Sequence, residues 1–156
     1  MDENMDIKIL LQLANGIQDV GSHYDRENWV WIGLEKTANN TFLLSKDERG
    51  PDNFNPLEWQ WQDGSHPNFT HWMRDMPDQE YKRPYKDYQR FVMVNKRGRW
   101  DDTFGQMKAP YACNYCGRYI VIAEHVTWDH ARDLCESYGL TRAMVKKKDD
   151  NTELGV

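Results

Sequence analysis

The residues best placed to do chemistry alternate rings with carboxylates through the middle of the chain: Trp59, Trp61-Gln62-Asp63-Gly64, Trp72, Met76-Pro77-Asp78 and Trp100-Asp101-Asp102. Aromatic faces accept the apolar C–H patches of sugars, and Tyr, Trp and Arg dominate protein-recognition hot spots. The set therefore reads as a binding surface. Trp72 with Tyr81 or Tyr85 are the candidate exposed ligand contacts, because they fall in a stretch without periodicity, rimmed by Arg74, Lys82 and Arg83. Trp61 and Trp100 occupy strand positions and are expected to brace that stretch from the core. Catalysis is not indicated: His66 and His71 share the stretch with Asp63 and Asp75, but no nucleophile stands beside them, and Ser22 and Ser65 sit in no nucleophile-elbow context.

The cysteines leave alternatives open. Three is an odd number. Cys113 and Cys135 can close a loop whose entropic stabilisation is about 3 kcal/mol, leaving Cys116 free or available to a second chain. Cys113-Asn114-Tyr115-Cys116 also has the spacing of a redox pair or half a zinc site. No second such pair completes a metal set, and no helix pattern begins at Cys113 to lower a thiol pKa.

Short elements must position these groups. Ile7, Leu10, Leu11 and Ala14 make an amphipathic stripe that predicts a helix over Met5 to Asn15, capped by Asp2 or Asn4 and ended by Gly16. Trp29 to Leu34 reads as a buried strand, Glu58 to Gln62 as a short one, and Tyr88 to Asn95 with Gly98 to Asp101 as a hairpin. Pro110 to Asn114 and Arg118 to Ala123 are further strands. Thr127 caps a helix that presents Trp128, Ala131, Cys135 and Tyr138 on one face and stops at Gly139; Leu140 to Val145 is a last strand candidate. Asp63 to Lys86 carries no periodicity, and a stretch that long between strands is expected to be functional. Two helices, short antiparallel strands and one long loop give an α+β class.

Composition narrows the partners. A net charge of −5 argues against nucleic acid, which needs a basic face; the basic run Lys146-Lys147-Lys148 is neutralised at once by Asp149-Asp150 and reads as a solvated loop. No apolar run approaches the ~20 residues of a membrane helix. Met1-Asp2-Glu3-Asn4 is acidic where a signal peptide is basic, so none is read there. Asn39-Asn40-Thr41 and Asn68-Phe69-Thr70 are glycosylation sequons, meaningful in a secretory setting.

As a set, these residues resemble the C-type lectin-like domain, over nearly the whole chain. Trp31-Ile32-Gly33-Leu34 is similar to the family's WIGL strand, Trp61-Gln62-Asp63-Gly64 to its W-x-D-G turn, Met76-Pro77-Asp78 to its EPN or QPD triplet, and Trp100-Asp101-Asp102 to its WND. The resemblance implies a disulfide between Cys113 and Cys135. It implies a C-type lectin-like fold in which two helices flank short antiparallel sheets and a long ligand-binding loop. It further implies an extracellular or secreted module that binds a glycan or a protein ligand.

Three departures accompany the resemblance. The element order is permuted, with the family's first helix closing the chain. The whole chain is then one circularly permuted domain, or a slice of a tandem array with a boundary near residues 114–117 that needs a neighbouring or swapped partner chain, through Cys116 among other routes. The family's inner disulfide is missing; its positions fall near Arg90-Phe91 and Phe104-Gly105, where two phenylalanines are expected to substitute by packing. The calcium set is altered. Ca²⁺ takes roughly six to eight oxygens; Asp78, Asp101 and Asp102 offer carboxylates from motif-matched positions, with Asp87 or Gln89 near the place of another ligand, but Met76 replaces an oxygen donor. The resemblance thus implies a weak Ca²⁺ site and a ligand face of Trp72, Asp78, Tyr81, Arg83, Asp101 and Asp102.

Overall fold

Alternation along β1 (Val30–Lys36) sets the architecture, because this strand is buried on both sides and pairs in three directions. The computed structural model describes residues 29–37, 50–95, 97–115 and 118–147. The expected helix over Met5 to Asn15, Cys116, the sequon at Asn39 and the positions after Lys147 lie outside these residues.

Nine strands and one helix are present among the described residues: β2 (Trp59–Trp61), β3 (Tyr81–Lys82), β4 (Asp87–Tyr88), β5 (Phe91–Val94), β6 (Trp100–Thr103), β7 (Ala109–Tyr115), β8 (Arg118–Val126), α1 (Trp128–Ser137) and β9 (Thr141–Arg142). The class is α+β. The main sheet runs β6-β5-β1-β7-β8, with β2 on the far half of β1 and β9 on β7. The expected hairpin forms as β5 and β6, registered Phe91 with Thr103 and Val94 with Trp100. β3 and β4 make a separate hairpin.

Period-two alternation divides the core. Trp31, Phe91, Met93, Tyr111, Cys113 and Val126 face α1, where Trp128, Ala131 and Cys135 complete a cluster. Ile32, Leu34, Val92, Val94 and Ala112 face the other way, onto Trp59, Trp61 and Trp100.

Thr127 caps α1 by accepting from His130 N–H, and Gly139 takes a left-handed φ of 73° just past its end. The helix is tied down by long-range bonds. Trp128 Nε1 donates to Ile32 O at 3.1 Å and Cys135 bonds Cys113, 22 positions before it in sequence, while beneath the helix Trp31 Nε1 donates to Val126 O at 2.8 Å to join β1 to β8. Closing that loop contributes about 3 kcal/mol. Beyond α1, Ala143 O accepts from Gly33 N at 2.8 Å; a Cβ on Gly33 would stand 3.1 Å from that of Arg142 and 3.2 Å from Ala143 O, so glycine eases the close approach of the two backbones. Arg142 itself lies over the ring of Trp128 at 3.5 Å, while its backbone N and Nε both donate to Gln62 Oε1.

The two phenylalanines near the missing inner disulfide do pack, but each takes another partner. Phe91 lies against Trp128 (4.5 Å) and fills the space over Gly105, where a Cβ would be 2.8 Å from its ring. Phe104 stacks flat on Tyr85 at 4.1 Å.

Candidate functional site

The long loop begins at the Trp61-Gln62-Asp63-Gly64 turn, where Gly64 adopts φ 84° and donates to Trp61 O. Asp63 accepts from Ser65 and binds Lys146, which pulls its carboxyl down to about 2. Lys146 is thereby held against this turn instead of standing alone as a solvated charge.

Loop residues 71–73 then lie along the outer edge of β6. Trp100 N donates to His71 O and Met73 N to Trp100 O, both at 2.8 Å, making a parallel bridge between Trp72 and Trp100. His71 Nδ1 meets Gly98 O at 2.6 Å, and His66 Nδ1 meets Trp59 O at 2.8 Å. Both histidines thus fasten backbone. Trp72 is half-buried, with ring centroids of Trp59, Phe54 and Trp100 at 5.4, 5.6 and 5.6 Å. It braces the loop from inside, because the edge bridge turns it into the aromatic cluster.

The bridge carries the chain to a cis Met76–Pro77 bond and sets Asp78 beside the end of β6. Asp102 is fully buried; its two carboxylate oxygens accept from Asp78 N at 3.1 Å and Gln79 N at 2.8 Å. One carboxylate oxygen from each of Asp78, Asp101 and Asp102 lies within 4.8 Å of the others. Burial, and then the charges of Asp78 and Asp101, hold the Asp102 carboxyl well above its ordinary value; burial also raises Asp78. Asp78 Oδ1 is buried and has no hydrogen-bond partner. Three crowded carboxylates, one with an orphaned oxygen, are a donor set suited to a hard cation. They supply three of the roughly six to eight oxygens Ca²⁺ takes, leaving the rest to water or ligand.

Asp87 does not join this group. Its carboxylate is held by Arg90 Nε at 3.0 and 3.1 Å, a close partner three residues along. Gln89 is buried and its backbone N donates to Glu80 O. Tyr81 is 45% exposed, and Arg83 is exposed beside it on the β3–β4 hairpin.

Sequence reasoning missed the group that holds the loop shut. Lys36 is 3% exposed; its Nζ donates to Gln79 Oε1 and pairs with Glu58 at 3.4 Å. Gln79, itself buried and with φ 53°, sits between this ammonium and the Asp102 carboxylate. The signal was present, since Lys36 continues the inward phase of Ile32 and Leu34.

No family model matches the chain, and no curated protein matches it significantly.

Proposed function

We propose that this chain is a non-enzymatic extracellular binding module with a C-type lectin-like fold, whose Asp78, Asp101 and Asp102 rim holds Ca²⁺ and, with it, a carbohydrate. The observation that carries the reading is the convergence of three carboxylates, including the orphaned Asp78 Oδ1, at the end of a long braced loop. Bound Ca²⁺ would present open coordination positions to sugar hydroxyls. The protein supplies the charge and fixes its geometry through the Asp102 bonds to Asp78 and Gln79.

Further support comes from the closing helix, which packs on the sheet and is tied to β7 by the Cys113–Cys135 bridge. This packing supports the reading in which the permuted elements complement one another within one chain. The disulfide suits an oxidising compartment, and no described helix is long and apolar enough to cross a membrane.

Titrating the chain with millimolar calcium tests this by thermal denaturation. Asp78 and Asp102 have raised carboxyls, so without a cation the cluster loses stability as pH rises above the ordinary carboxylate range. Calcium therefore raises the midpoint, and by more at pH 7 than at pH 5. Asp78→Asn and Asp102→Ala abolish the rise. A wild-type midpoint indifferent to calcium ends the reading. The exposed hairpin supports a second one, calcium-independent recognition of a protein ligand through Tyr81 and Arg83 with Trp72 behind them, for which capture survives EDTA.

A further inference from the structure

The β3–β4 hairpin concentrates positive charge in an acidic chain. Six of its eight residues, Tyr81-Lys82-Arg83-Pro84-Tyr85-Lys86, hold three cations and no carboxylate, against a net charge of −5 for the whole. All are exposed except Tyr85, which is half-buried. None of Lys82, Arg83 and Lys86 forms an ion pair among the described residues. The neighbouring acids are otherwise engaged or at the base: Asp87 is held by Arg90, Asp78 belongs to the rim and feels the Lys82 charge without pairing with it, and Glu80 precedes β3.

The hairpin is also held in one shape. Lys86 N donates to Lys82 O at 3.0 Å, with Lys86 at φ 51° closing the turn. Tyr85 stacks on Phe104, and Gln106 Nε2 donates to Tyr85 O at 3.1 Å. The Tyr88 ring meets Tyr81 edge-on at 5.1 Å, which fixes a half-exposed aromatic surface beside the charges. Three cations outside any ion pair on a braced turn lose little entropy when they meet an anion. The guanidinium fork of Arg83 matches an oxyanion with two coplanar oxygens. The Tyr81 face suits the C–H side of a pyranose ring, which an acidic peptide does not offer.

We infer that this hairpin is a cation-independent docking surface for a sulfated polysaccharide. The inference takes its class of partner from the glycan-binding reading, but it uses none of the rim carboxylates, so the two fail separately.

Capture of the full chain on immobilised heparin, in EDTA at 150 mM salt, tests it. Wild type binds and is released by salt. Lys82→Gln/Arg83→Gln/Lys86→Gln loses on the order of tenfold in affinity, since each exposed contact contributes a few-fold. The equal-charge control Arg97→Gln/Arg118→Gln/Lys147→Gln, at exposed positions elsewhere, retains binding. Tyr81→Ala weakens capture a few-fold without changing its salt dependence. Four results overturn the proposal: equal capture on desulfated heparin, equal loss in the control variant, loss of capture on chelation, or competition by polyglutamate or RNA as effective as by soluble heparin. Failure of calcium to shift the melting midpoint, with heparin capture intact, sinks the rim reading alone.

Discussion

The two faces of the central sheet are fastened by different means. On the helix face, a disulfide and one indole-to-carbonyl bond lock α1 to β7 and β1, and a second indole-to-carbonyl bond ties β1 to β8. On the loop face no covalent bond appears among the described residues. The loop is held by the Asp102 carboxylate, by the buried Lys36–Gln79 pair with the half-buried Glu58, and by edge-packed indoles around Trp100. Covalent closure restrains the unfolded chain and is indifferent to what binds. Polar closure stakes stability on charges that a ligand can alter. The difference separates a scaffold from a site.

Breaking the scaffold has the largest effect. Replacing both Cys113 and Cys135 by Ala is expected to lower unfolding stability by about 3 kcal/mol in urea titrations, leaving amide protection at Asp78 and Gln79 in the folded fraction within a few-fold of wild type. Equal loss of both would merge the two faces into one unit.

Opening the polar closure comes next. Lys36→Met leaves Gln79 Oε1 buried without a donor and costs about 2 kcal/mol. Amide exchange should then accelerate at Asp78 and Gln79 while α1 keeps its protection. A smaller cost falls where the faces meet: Gly105→Ala drives a methyl into the Phe91 ring and costs about 1 kcal/mol by overpacking, recovered when Phe91 becomes Leu.

The weakest effect is electrostatic. Asp63 has a lowered carboxyl pKa because of Lys146, so the pair stabilises fully above the ordinary value of 3.8 and is lost as pH falls toward about 2. Both groups are substantially exposed, which keeps the contribution roughly below 1 kcal/mol. Lys146→Met lowers the melting midpoint slightly at pH 7, leaves it unchanged near pH 2, and so flattens its pH dependence across that acid window.

How much was legible follows from which forces leave a pattern. The β1 strand, the β5–β6 hairpin and the Thr127-capped helix announce themselves through alternation, turn residues and capping. Asp78, Asp101 and Asp102 were grouped through the resemblance of their motifs to a family's ligand positions. Asp87 was grouped with them on position along the chain, but an arginine three residues away outcompetes a distant site. Trp72 read as exposed because a single bridge to β6 has no period to detect. Lys36 escaped because charge masks a core position, although its phase with Leu34 marks it. The leading helix expected over Met5 to Asn15 stays outside the described residues.

One side chain touches both faces at once. The Arg142 guanidinium rests on Trp128 beneath the helix, and the same residue grips Gln62 at the mouth of the loop. A module strung between neighbours and pulled through its closing segment would feel that tension first at Arg142, and would pass it to the turn from which the acidic rim is hung. A pull on that segment would thus reach the acidic turn through a single planar cation.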